Sequence, residues 1–135
     1  MKAVFADTFY WVALTNPDDT RHRDAIAFDK SLATVTVLTT DEVLTEFMTF
    51  FSGDPRQRVR AATTVRQLMV HPSIRVIPQS RESFLGGLDL YQSRPDKGYS
   101  LVDCISMETM RREGLTDVLT NDRHFEQEGV RALFR

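Results

Sequence analysis

A single cysteine, Cys104, is all the chain carries, so no intrachain disulfide can form and a four-cysteine zinc site is ruled out. No apolar run approaches the ~18 residues of a membrane span, and the N-terminus lacks a signal-peptide pattern. Neither sign of charge prevails. The 17 Lys+Arg stand against 19 Asp+Glu, a net charge of −2, which sets aside a basic DNA-coating protein. Lysine is scarce, with only Lys2, Lys30 and Lys97 beside 14 arginines. Arginine suits bidentate contact with phosphate or carboxylate, although genome composition produces the same imbalance. Repeats, low-complexity tracts and linkers are missing as well. What is present is 135 residues with 41% hydrophobic content, which fits one domain over 1–135 and is incompatible with a disordered chain. A soluble, cytoplasmic domain is the expectation.

Short β-branched runs alternate with helical patterns. Lys2–Ala6 (KAVFA) is too short and too rich in β-formers for a helix, and reads as a first strand ended by Asp7. Thr8–Leu14 gives one or two helical turns before the turn Asn16-Pro17-Asp18-Asp19. Thr20–Leu32 is a helix with Ala25, Ile26 and Leu32 inward, and Thr34–Leu38 (TVTVL) a second strand. Thr39 fits an N-cap with Glu42 at N3, opening a helix through Val43, Leu44, Phe47, Met48 and Phe51 that stops at Gly53. Asp54-Pro55 starts another, through Val59, Ala62, Val65, Leu68 and Met69 to His71-Pro72. Ile74–Ile77 is a third strand and Ser80 to about Gln92 a helix. Ser100 caps a helix ending near Glu113, with Gly114 just beyond. Asp117–Thr120 is the fourth strand, Asn121–Glu128 a turn and short helix, and Val130–Phe134 the last strand. Such alternation implies an α/β fold with a central, mostly parallel five-stranded sheet between layers of helices. Ligands bind such sheets off the carboxyl ends of strands, where strand order reverses.

Four acids sit where a polar group needs a reason. Asp7 ends the first strand and Asp122 follows the fourth by one residue; Glu46 and Asp103 lie among apolar neighbours on helices. No two are close in sequence, so only folding can gather them. Two carboxylates about 4 Å apart repel by roughly 4 kcal/mol at an effective dielectric of 20, so a cluster would need protons or a cation. Hard oxygen donors without cysteine or histidine select Mg2+ or Mn2+. Each acid has a plainer competitor: Asp7 and Asp122 as helix caps, Asp103 in a capping box with Ser100, and Glu46 on a solvated flank.

Taken together, the four carry a resemblance. Val4-Phe5-Ala6-Asp7-Thr8, Val43-Leu44-Thr45-Glu46, Tyr99-Ser100-Leu101-Val102-Asp103-Cys104 and Leu119-Thr120-Asn121-Asp122-Arg123-His124-Phe125 occur in order over essentially the whole chain. The chain resembles a PIN domain, and more closely the VapC-type toxins of bacterial toxin–antitoxin pairs. The last segment is the most specific. The resemblance implies a PIN-like three-layer fold and an acidic pocket of Asp7, Glu46, Asp103 and Asp122. That pocket would bind Mg2+ or Mn2+ and cut single-stranded RNA as an endoribonuclease, leaving 5′-phosphate and 3′-hydroxyl ends. It further implies supporting hydroxyls at Thr8 and Thr120 and a small antitoxin protein as partner. Phe9 follows Thr8 where small polar residues are common in the family, which bears on the shape of the pocket mouth.

Other residues have weaker claims. His22, His71 and His124 are spaced unlike any zinc motif; His71 reads as a helix C-cap, and for His124 packing or a local hydrogen bond outweighs contact with a carboxylate or phosphate. Cys104 reads as a buried structural thiol. Arg56, Arg58, Arg60 and Arg66 form a solvated, ion-paired face, with RNA or antitoxin contact as the competitor, and Arg94 and Lys97 precede Asp103 near the pocket rim. Trp11, Phe47, Phe50 and Phe51 exceed the needs of so small a core. Most of them are expected in the core and part of them on a surface for a partner helix or for a second subunit in a homodimer, with Trp11, Phe50 and Phe51 the docking points for an antitoxin segment. Two readings from other classes fit poorly. A phosphoacceptor receiver needs an acidic pair after its first strand and a late lysine, and a haloacid-dehalogenase-like phosphatase needs Asp-x-Asp where Asp7-Thr8-Phe9 stands. A non-catalytic PIN-like module binding RNA or protein is the remaining alternative.

Overall fold

The first strand, β1 (Ala3–Ala6), runs through the middle of the sheet because its side chains are apolar on both faces; Val4, Phe5 and Ala6 have no exposed surface. The structure is a computed structural model describing residues 2–31 and 33–135, so the inward role expected of Leu32 lies outside the described residues. Along the chain, β1 is followed by α1 (Thr8–Thr15), α2 (His22–Ser31), β2 (Thr36–Thr40), α3 (Asp41–Phe50), α4 (Pro55–Val70) and β3 (Ile74–Ile77). Then come α5 (Arg81–Ser93), α6 (Leu101–Glu113), β4 (Asp117–Leu119), α7 (His124–Gln127) and β5 (Arg131–Ala132). The five strands form one sheet in the order β3-β2-β1-β4-β5, and every pairing is parallel. The α/β expectation holds, with a sheet more uniform than "mostly parallel".

Strand order reverses at β1. The chain leaves it towards β2 and β3 on one side and returns to β4 and β5 on the other. That reversal opens a crevice beyond the carboxyl ends of β1 and β4, the place where such sheets bind ligands.

Several boundaries differ from the sequence expectation for one reason: strand pairing outranks a local cap. β2 extends to Thr39 and Thr40, which pair with Val76 and Ile77. Thr39 is therefore not the N-cap of α3. Its buried hydroxyl donates to the Ala6 carbonyl at 2.9 Å and accepts from the Trp11 indole N–H at 3.2 Å. The cap passes to Thr40, whose Oγ1 accepts from Val43 N at 3.1 Å. Glu42 no longer falls at N3, and it accepts from the Ser83 hydroxyl on α5 instead.

Aromatic burial differs too. Trp11 and Phe51 belong to the core, and of the three expected docking side chains only Phe50 is exposed. On α4, Asp54 caps as its sequence implies, accepting from Arg56 N and Gln57 N. The helix turns Ala61, Val65 and Leu68 inward and leaves Val59 and Met69 in solvent. Arg56, Arg58, Arg60 and Arg66 are exposed, and among the described residues none of them joins an ion pair.

α5 and α6 pack tightly. A Cβ on Gly87 would stand 2.3 Å from Ile105 Cγ1, so only glycine permits this approach. α6 begins with a reciprocal Ser100–Asp103 capping box and ends at Gly114, whose φ of 69° is the left-handed conformation a helix stop favours. Cys104 is fully buried, and burial pushes its thiol up to about 11, so it stays protonated and structural.

Candidate active site

Asp7 leaves the end of β1 at the N-cap position of α1, yet its side chain makes no cap hydrogen bond. It turns instead towards β4, where Oδ2 accepts from the Thr120 hydroxyl at 2.9 Å. The same Thr120 oxygen accepts from the Asp122 peptide N–H at 3.2 Å. One buried hydroxyl thus connects the ends of the two strands that flank the crevice. Asp122 closes its own turn by accepting the His124 N–H at 2.9 Å. Asp103 does perform the capping duty that competed with a functional reading, its Oδ2 accepting from Ser100 N at 3.2 Å. Capping and pocket duty are compatible, since the first turn of α6 faces the crevice. Glu46, in the second turn of α3, accepts a short hydrogen bond from the Thr8 hydroxyl on α1.

The ligand atoms of Asp103, Asp122 and His124 all lie within 4.8 Å of one another. Asp7 and Glu46 stand outside that trio but are coupled to it by charge. Burial, and then the Asp103 charge, lift the Asp7 carboxyl to about 7; Glu46 adds to the rise, while the Thr120 hydroxyl and Thr8 backbone oppose it. Burial also lifts Asp103, with Asp122 and Glu46 adding to the rise and the Ser100 hydrogen bonds working against it. All four acids therefore share one electrostatic neighbourhood. Among the described residues, none of the four has a lysine or arginine within ion-pair distance; the His124 ring, 3.3 Å from Asp122, is the only basic group in such reach.

This arrangement fits a divalent cation. Carboxylate oxygens are the donors that Mg2+ and Mn2+ select, and a buried carboxyl held near neutrality marks a pocket short of positive charge. Volume plays no part in the assignment: a cleft of about 540 Å3 between α3 and α4, lined by Met48, Arg58 and Val59 among others, is lined by none of the acids.

His124 shows the packing and local hydrogen bond expected of it, on Tyr99 and on Asp122, and its ring also stands 3.3 Å from the Asp122 carboxylate. Arg94, placed near the rim by sequence, is engaged by Glu128 at 3.0 Å, and Glu128 also accepts from Tyr99 at 2.8 Å.

The fold and site together define an α/β domain with carboxylates gathered at a sheet's switch point. The chain belongs to the PIN domain family, whose model matches residues 4–129. It is 29% identical over 126 residues to the 23S rRNA-specific endonuclease VapC20 of Mycobacterium tuberculosis, covering 93% of this chain and 94% of that protein. The crystal structure of that sarcin-ricin loop cleaving toxin superposes with a TM-score of 0.83 at 26% identity, covering 94% of this chain and 95% of the other. FitAcB from Neisseria gonorrhoeae (TM-score 0.71, 15% identity, covering 96% and 95%) shares the fold. So does VapBC2 from Rickettsia felis, bound to promoter DNA (TM-score 0.71, 17% identity, covering 96% of each chain). The VapC-type resemblance read from the sequence holds.

Proposed function

We propose that this chain is a single-domain, divalent-metal-dependent endoribonuclease and the toxin of a toxin–antitoxin pair. The observation that supports this reading is the grouping of Asp103 and Asp122 with His124 at the switch point, with Asp7 and Glu46 coupled to Asp103 by charge and, among the described residues, no lysine or arginine paired with any of the four acids. Asp103 and Asp122, together with Asp7 and Glu46, would hold Mg2+ or Mn2+. Such an ion supplies Lewis-acid activation of water and neutralises phosphate charge when bound. The chain's own hydroxyls orient the acids: Thr120 fixes Asp7, and Thr8 fixes Glu46. In-line attack by water on the phosphodiester would leave 5′-phosphate and 3′-hydroxyl ends.

The named specificity of the VapC20 relative makes ribosomal RNA the first substrate to try. The VapBC2 and FitAcB neighbours support a small antitoxin protein as partner. The exposed apolar row Phe84, Leu85, Leu88 and Tyr91 on α5 supports a second copy as another, in a homodimer. Among the described residues no helix is long and apolar enough to cross a membrane, and a cytoplasmic site of action follows from an RNA substrate. The test is cleavage of ribosomal RNA by the purified chain with Mg2+, Mn2+ or EDTA, beside Asp7→Asn. Cleavage that needs metal and Asp7 is expected. RNA binding without cleavage in any of these conditions would turn the assignment to a non-catalytic PIN-like binding module.

A further inference from the structure

Among the oxygens of the acidic cluster, His124 brings the only nitrogen donor. Its Nδ1 is shielded from solvent and makes no hydrogen bond, although Asp122 Oδ1 stands only 3.3 Å away. That carboxylate oxygen already accepts the peptide N–H of His124 at 2.9 Å, and the ring nitrogen lies beside it off the hydrogen-bond line. A shielded polar atom in a native fold needs a partner. The separation indicates which kind. Two ligands on neighbouring corners of an octahedron with bonds of about 2.1 Å stand about 3 Å apart.

The ring is held in this pose by its surroundings. Tyr99 packs edge-on against it with centroids 5.3 Å apart, and the Tyr99 hydroxyl donates to Glu128, which pairs with Arg94 at 3.0 Å. Gly98, at a φ of 74° that favours glycine, turns the loop that brings Tyr99 to the ring. A chain of fixed groups therefore sets where Nδ1 points.

We propose that His124, through Nδ1, is a nitrogen ligand of the divalent ion held by Asp103 and Asp122, and that it biases the site towards Mn2+ over Mg2+. The inference rests on reading the acid cluster as a cation site. Mg2+ is a hard ion that keeps to oxygen and water, whereas Mn2+ stands above it in affinity for mixed nitrogen and oxygen donors. Removing the imidazole therefore costs Mn2+ binding more than Mg2+ binding.

The full chain is loaded with Mn2+ or Mg2+ alone, without RNA. Electron spin-echo spectra of the Mn2+-loaded wild type should carry the modulation of a directly bound imidazole nitrogen, and 15N-histidine labelling should change it. In His124→Phe, which keeps a ring for Tyr99 to pack on, the modulation should vanish. The ratio of Mn2+ to Mg2+ affinity, read by calorimetry, should fall about tenfold. The metal-free melting temperature checks that the variant folds, and the wild-type spectrum decides the matter even where it does not. Bound Mn2+ with no nitrogen signal, or an unchanged affinity ratio in folded His124→Phe, overturns the role of His124 and leaves the cation site standing, provided Asp103→Asn abolishes binding. No binding of either ion by the wild type overturns the cation site, and this inference with it.

Discussion

Asp7 and Thr120, 113 residues apart in the chain, meet in the interior, where the Thr120 hydroxyl donates to Asp7 Oδ2 at 2.9 Å. Valine has nearly the same shape as threonine and cannot donate. Thr120→Val also strips the acceptor from the Asp122 N–H, which loosens the turn carrying Asp122 and His124. A loss of about 1–3 kcal/mol in unfolding free energy is expected from these buried groups, measured by urea titration. The lost bond favoured the charged form of Asp7, so its carboxyl should titrate higher still, and the pH profile of RNA cleavage should move upward.

Asp7 also fixes how stability depends on pH. Its carboxyl rises from 3.8 to about 7 on folding, so between those values the folded chain holds a proton that the unfolded chain has released. Unfolding free energy must then fall as pH rises through that window, by up to about 4 kcal/mol for a shift of this size. Asp103, shifted in the same direction, adds to the slope. The metal-free chain should give a lower urea midpoint at pH 8 than at pH 5, and Asp7→Asn should flatten most of the difference. Mg2+ or Mn2+ should raise the melting temperature strongly at pH 8 and little at pH 5, where protons already relieve the crowding. Equal slopes in wild type and Asp7→Asn would remove Asp7 as the source.

What the sequence disclosed follows the range of the forces involved. α6 was legible at both ends because Ser100 and Gly114 act within one turn. The start of α3 was not, since Thr39 and Thr40 are chemically equal as caps and only pairing with Val76 and Ile77 chooses between them. Nor was the fate of Trp11, which lies on an α1 apolar nearly all round; its burial depends on Thr39, 28 residues away, waiting to accept the indole N–H. The acids stood out singly as polar residues in apolar settings. Their mutual arrangement was set by the order of strands, which no local pattern encodes, and the neighbours of the His124 ring, Asp103 and Tyr99, come from α6 and the loop before it.

Two adjacent glycines on α5 give a paired test of how packing supports the site. At Gly86 a Cβ meets nothing within 4 Å, so Gly86→Ala should stabilise the helix by about 0.5–1 kcal/mol. At Gly87 the Cβ would strike Ile105 Cγ1 at 2.3 Å and the Ile105 backbone at 3.1 Å. Overpacking of this kind costs about 1–3 kcal/mol, which exceeds the helix-propensity gain. Because Ile105 is two residues from Asp103, pushing α6 away should also weaken Mn2+ binding in Gly87→Ala. Urea midpoints and calorimetric Mn2+ titrations of both variants check this; equal behaviour of the two would show that α5 and α6 can separate without disturbing the pocket.

The proposed function carries a prediction for the cell as well. A ribonuclease acting without its inhibitor degrades the RNA on which growth depends, so expression of this chain alone in a bacterial host should arrest growth within a few generations. Asp7→Asn removes one carboxylate from the cluster and, by the pH argument above, gains rather than loses stability at neutral pH. It should therefore accumulate to at least the wild-type level while the culture keeps growing, and sequencing of RNA ends should show new cleavage sites only in the wild-type culture. Matched soluble levels make the comparison strict. Arrest by both proteins would mean toxicity without catalysis, and growth with both would place this PIN domain outside the toxins whose fold it shares.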